Sequence, residues 1–106
     1  MDYKKELTEL FASVKAYFDG RGIIAASATL YDFPPDIKDR LEKFFLAMSA
    51  VGEYYTKFRK NKPLMLARYG HSVTSIDFLP DLKKALVEGK PDSFIAFIEN
   101  LFVKDF

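Results

Sequence analysis

The residues best placed to do chemistry are six cations and three tyrosines near the middle of the chain. Lys43, Lys57, Arg59, Lys60, Lys62 and Arg68 fall within residues 43–71, a stretch with one acid, Glu53, and a net charge of +5. Tyr54, Tyr55 and Tyr69 are interleaved with them. Lysine and arginine replace the counterions of a phosphate backbone. A tyrosine ring can stack on an unpaired base for about 1–3 kcal/mol. Together they suit RNA or single-stranded DNA. The chain carries neither an RNA-recognition-motif signature nor a helix-turn-helix pattern, so such contacts would be to the backbone and tolerant of sequence. Two plainer readings stand beside this one. Cations near a helix C-terminus stabilise the helix by themselves, and a basic face can dock an acidic protein surface.

Other chemistries find less support. The absence of cysteine excludes disulfides, zinc ribbons, iron–sulfur ligation and thiol catalysis. His71 is the one histidine, which excludes a multi-histidine metal site. It could act as a base beside Asp77, but no nucleophile motif accompanies it, and a histidine after a glycine serves more simply as a surface or cap residue. The pairs Asp36/Asp39 and Asp77/Asp81 have helical spacing and could hold a metal, yet acids in a first helical turn complement the dipole. Gly20-Arg21-Gly22 lacks the lysine and the preceding strand of a phosphate loop. The expectation is a protein without catalytic residues, metal or cofactor, and so not an enzyme.

The elements that must position these residues read as helices. At 106 residues the chain fits a single domain, residues 1–106. Hydrophobic residues make up 49% and charged residues 29%, a globular composition. The segments 1–42 and 72–106 each carry a net charge of −2, so acidic arms flank the basic centre. The N-terminus alternates charged and apolar residues without a continuous apolar stretch, and the longest run poor in charge, Gly22 to Tyr31, is too short to span a bilayer. A cytoplasmic protein without a membrane segment is expected.

Tyr3, Leu7, Leu10, Phe11, Val14, Tyr17 and Phe18 recur at spacings of three and four, which predicts a helix over residues 3–18, stopped by Gly20 and Gly22. Residues 23–31 fit a short buried helix better than a strand. Pro34-Pro35 breaks the chain, and Asp36, Asp39 and Glu42 open the longest predicted helix, about residues 36–60, which ends in Lys57-Phe58-Arg59-Lys60. Asn61-Lys62-Pro63 reads as a second break, followed by a short helix from Leu64 to Tyr69 closed by Gly70 and a loop through residues 71–75. A helix over residues 78–88 ends at Gly89, and a last helix starts near Asp92 or Ser93 and carries Phe94, Phe97, Ile98, Leu101 and Phe102. The whole predicts an all-α fold, a single compact bundle of five or six helices.

Four pieces of this pattern, in order, carry a resemblance. They are Leu41-Glu42-Lys43-Phe44-Phe45, Ala67-Arg68-Tyr69-Gly70-His71, the helix from Phe78-Leu79 through Leu86, and Phe94-Ile95-Ala96-Phe97-Ile98-Glu99. The order resembles the small subunit of type III-A CRISPR effector complexes, the Csm complexes, over residues 37–103. Glu42 and His71 stand where that family favours arginine, while Lys43 keeps its match and Arg68 lies beside the second motif. Residues 1–35 have no place in the pattern.

The resemblance implies a non-catalytic, all-helical subunit. Such subunits stack in several copies along the guide RNA, near the paired target RNA, and help form a positively charged channel in antiviral defence. The partners implied are guide and target RNA, other effector proteins and copies of itself. Lys43, Lys57, Arg59, Lys60, Lys62 and Arg68 would then contact phosphates, and the isolated chain could dimerise through its aromatic faces. The small subunit of type III-B complexes is a close variant. The rival expectation is a helical protein-interaction or adaptor module, homodimeric or not, that binds no nucleic acid.

Overall fold

Asp2 starts the first helix. Its carboxylate accepts a hydrogen bond from the Lys5 backbone N–H at 3.1 Å, satisfying one of the donors that a helix N-terminus leaves open. The computed structural model describes residues 2–69 and 78–105, with Arg68 and Tyr69 as backbone alone. Helix α1, Tyr3–Arg21, buries Leu7, Leu10, Phe11, Val14 and Phe18 on one face. It runs past residue 18 because Gly20 is accommodated within it. Only Gly22 takes the left-handed conformation, at φ 67, that ends the helix.

Residues 23–31 do not form the expected helix. Two 3₁₀ turns, Ala25–Ser27 and Leu30–Asp32, are joined by extended backbone. The reason is local. The Asp32 carboxylate accepts the Thr29 backbone N–H at 2.7 Å, so a side chain takes the donor that a longer helix would use. Ala28 and Phe33 are the buried anchors of this stretch, and Phe33 packs edge-on against Phe18 at 5.1 Å.

The predicted 36–60 helix is two helices. Helix α2, Ile37–Ser49, buries Ile37, Leu41, Phe44 and Met48. Helix α3 follows as Gly52–Tyr69. At 100° per residue, one straight helix would carry Phe58 and Met65 roughly a quarter-turn away from the Ile37–Met48 stripe. A turn at Ala50–Val51, closed by the Val51 N–H donating to the Met48 carbonyl at 3.1 Å, lets both stripes face one core. The expected break at residues 61–63 is absent. Helix α3 continues through Pro63, an interior position where proline removes a backbone donor. Buried Asn61 and Met65, to either side of it, hold the helix in place.

Helix α4, Leu79–Glu88, ends at Gly89 with φ 80, and α5, Asp92–Phe102, follows it. Ser93 is not a cap of α5; its hydroxyl donates to the Glu88 carboxylate at 2.5 Å. Helix α5 packs chiefly on α3 and α4, and α1 lies over both α4 and α5. Phe45, Phe58 and Phe102 form an aromatic cluster between α2, α3 and α5. Phe58 stacks on Phe102 at 5.1 Å, and Phe45 meets each of them edge-on at 5.1 and 5.7 Å, the offset and edge-on geometries that aromatic pairs prefer. Arg40 ties α2 to α1 by donating to the Ser13 hydroxyl at 2.9 Å. The all-α bundle is thus observed, with five α-helices among the described residues. None of them is long and apolar enough to cross a membrane.

Candidate nucleic-acid interface

The six predicted cations fall into separate environments. Lys43 lies on the outer face of α2. Its ammonium is 2.9 Å from the Asp39 carboxylate one turn earlier, and that hydrogen bond and charge raise its pKa. It also borders an open groove of about 620 Å³ between α1 and α2, where Glu6 stands opposite Arg40 and Lys43. Lys57 is half-buried, and its ammonium sits 2.6 Å from the Asp105 carboxylate, drawing the segment after α5 onto α3. Hydrogen bonding and charge from Lys57 lower the Asp105 pKa, with a smaller contribution from Lys60. Two of the six cations are therefore already engaged with carboxylates of the chain itself.

Arg59, Lys60 and Lys62 are exposed on α3 and make no ion pair among the described residues. The helix period places Tyr55, Arg59, Lys62 and Leu66 in a single outward stripe, at steps of four, three and four. Lys60 lies about 100° around the helix from Arg59, on the side of Lys57. The Arg59 guanidinium lies over the Tyr55 ring at 5.9 Å, and the Lys62 ammonium over the Phe58 ring at 5.9 Å. Both side chains reach back toward the helix N-terminus, the direction that long helical side chains favour. The Arg68 side chain lies outside the described residues, as do His71 and Asp77.

The three tyrosines also separate. Tyr54 is half-buried and meets the Tyr3 ring edge-on at 6.0 Å, so it serves packing between α3 and α1. Tyr55 is 45% exposed. The Tyr69 side chain lies outside the described residues. Of the two rings among the described side chains, Tyr55 is the one whose exposure permits stacking.

The inner side of this helix is fastened by a residue that lies in the predicted break at Asn61-Lys62-Pro63. Asn61, fully buried on the inner face of α3, donates its side-chain N–H groups to the carbonyls of Asn100 at 3.0 Å, Leu101 at 3.4 Å and Lys104 at 2.6 Å. The first two carbonyls belong to the last turn of α5, where no further helical donor exists, and the third lies two residues past it. The signal was available. Phe58, Asn61 and Met65 are spaced by three and four, so Asn61 is a polar residue at a core position rather than a turn residue. Among the described residues no three carboxylate or histidine side chains converge as a metal site would require. No family model, no curated protein and no solved structure matches the chain.

Proposed function

We propose that this chain is a non-catalytic helical subunit that binds RNA through its phosphates, and that it serves in a type III-A CRISPR effector ribonucleoprotein. The observation that carries the RNA-binding part is the trio Arg59, Lys60 and Lys62. All three are exposed on one helix and lack an ion pair among the described residues, whereas Lys43 and Lys57 are paired with Asp39 and Asp105. Arg59 and Lys62, without carboxylate partners among the described residues, keep their full capacity to displace phosphate counterions, while Lys60 also acts on Asp105. Their helix is anchored on its inner side, so they are presented on a fixed frame.

The effector assignment rests on the order of the four motifs. Their apolar members are core residues here: Leu41, Phe44, Phe94, Phe97 and Ile98 are all buried. They account for a shared fold more directly than for a shared ligand. With Glu42 and His71 in place of arginines, the proposed RNA contacts shift from the motifs to the outer face of α3.

The test is a salt titration of binding to an oligoribonucleotide. Changing Arg59, Lys60 and Lys62 together to alanine should weaken binding of all sequences alike. It should also reduce the slope of log affinity against log salt by about 2, three phosphates at about 0.7 each for a single strand. An unchanged slope would remove these residues from the interface. Lys57→Ala, by contrast, should leave the slope close to that of the parent.

A second reading is favoured by a different surface. Ile24, Leu30, Tyr31 and Val87 are exposed apolar residues, at 70%, 43%, 94% and 56%. Leu30 borders an apolar groove with Ala28, Phe33, Leu79 and Pro80. A helical protein-interaction module would use such a face. Affinity capture from the native host, with and without nuclease, separates the readings. Guide-length RNA and large effector proteins support the first, and one protein partner retained after nuclease with no RNA supports the second.

A further inference from the structure

We infer that Tyr55 is a base-stacking platform with Arg59 as its movable cover, which makes the ligand single-stranded rather than duplex RNA; this rests on the RNA-binding reading above. The chain contains two tyrosines with an arginine one helical turn later, and the structure treats them differently. In α1 the Arg21 guanidinium is closed onto the half-buried Tyr17 ring at 3.6 Å, so that face is filled. In α3 the Arg59 guanidinium stands 5.9 Å from the Tyr55 ring, which is 45% exposed. A flat base between two planes needs about 7 Å, two contacts of about 3.5 Å each. The Arg59 guanidinium is thus out of contact with the Tyr55 ring, and a turn of that exposed side chain would admit a base. At Tyr17 the guanidinium is already in contact with the ring and leaves no room.

The neighbours on the stripe suit the same ligand. Lys62 stands one to two turns beyond Tyr55, about 10 Å along the helix axis, placed for the phosphate of an adjoining nucleotide. Leu66, 40% exposed, ends the stripe with an apolar ledge. No carboxylate of the described residues forms an ion pair with Arg59 or Lys62 to compete with the strand. Duplex RNA could still offer phosphates to Arg59, Lys60 and Lys62. Its bases, stacked on one another at the floor of a deep and narrow groove, could not reach the ring. Discrimination therefore falls to Tyr55 and not to the cations.

The experiment compares an oligouridylate with an RNA duplex of equal phosphate number, using the full chain. Tyr55→Ala should weaken oligouridylate binding roughly 5- to 150-fold and change duplex binding less than about twofold. Tyr55→Phe should restore single-strand affinity, since stacking needs the ring and not the hydroxyl. Tyr55→Trp places one tryptophan in a chain that has none. Its emission should be quenched by saturating oligouridylate and unaffected by duplex.

Equal loss on both ligands, loss on neither, or unquenched emission at saturation would each overturn the inference. If the Arg59/Lys60/Lys62 triple variant loses affinity while Tyr55→Ala is silent, the phosphate reading stands and the stacking platform falls. If the unmodified chain binds neither RNA, both fall.

Discussion

The Tyr3 hydroxyl donates to the Glu99 carboxylate at 2.8 Å, joining the first turn of α1 to α5. Burial, and then the hydrogen bond and charge of Glu99, push its pKa up to about 12 from 10.0. The consequence for stability has a definite sign. A group whose pKa is raised on folding stabilises the fold below its unfolded pKa, and that contribution is lost as pH climbs through the folded value. Wild-type stability should therefore fall between about pH 10 and 12 by more than that of Tyr3→Phe, whose profile lacks this component. Denaturation across that interval, taken as a difference between the two proteins, isolates it from the lysines. Ultraviolet titration should show one tyrosine ionising near the upper end of the range, and Tyr3→Phe should lose it. The residue scale also shows what spacing does not reveal. Tyr54 and Tyr55 are neighbours of identical chemistry, and one is packed against Tyr3 while the other is exposed. That distinction is set by which side of α3 faces the core.

At the scale of elements, most helices were legible and their junctions were not. The period of apolar residues marked α1, α4 and α5 to within a few residues, and Gly22 and Gly89 closed their helices in the left-handed conformation expected of them. Sequence and structure part at residues with two roles. Val51-Gly52 carries no decisive local stop signal, because the phase difference between the Met48 and Phe58 stripes shows only when both are set against one core. Pro63 predicts a stop, because local preference alone disfavours an interior proline; the anchoring of α3 by Asn61 and Met65 overrides it. Pro63→Ala should therefore stabilise the protein by about 2 kcal/mol. That figure is the ~3 kcal/mol cost of an interior proline less up to ~1 kcal/mol that proline contributes by stiffening the unfolded chain. Guanidinium denaturation would show it as a higher midpoint at unchanged slope.

For the molecule as a whole, α3 carries two adjoining stripes about 100° apart around its axis. Its inner side holds Phe58, Asn61 and Met65 in the core, and its outer side presents Tyr55, Arg59, Lys62 and Leu66. The candidate site was legible as a basic, aromatic stretch, but its division was not. Lys57 is claimed by Asp105, a residue 48 positions away, and no local pattern announces that pairing. Asn61 is the test of the union between α3 and α5. Asn61→Ala removes the donors to the α5 terminus and should cost about 1–3 kcal/mol. Asn61→Asp should be worse at high pH than at low. A neutral acid keeps one donor for the carbonyls, whereas a buried carboxylate facing them has none, so its folded pKa rises and stability is lost as pH climbs through it. If denaturation shows no dependence on pH beyond that of the parent, Asn61 does not serve as that clasp.

The place of α5 in the chain has a consequence for synthesis. It is the partner of both α3 and α4 and contributes Phe94, Phe97, Ile98, Leu101 and Phe102 to the core, yet it is translated after the other four helices. On the ribosome, the faces of Phe45 and Phe58 that meet Phe102, and the face of Phe78 that meets Phe97, therefore emerge uncovered. At about 5–20 residues per second the interval between the end of α4 and the end of α5 is roughly 1–3 s. For that time the nascent chain lacks the five apolar side chains that α5 adds to the core and is open to chaperones and to other nascent copies. Completion of the core waits for α5.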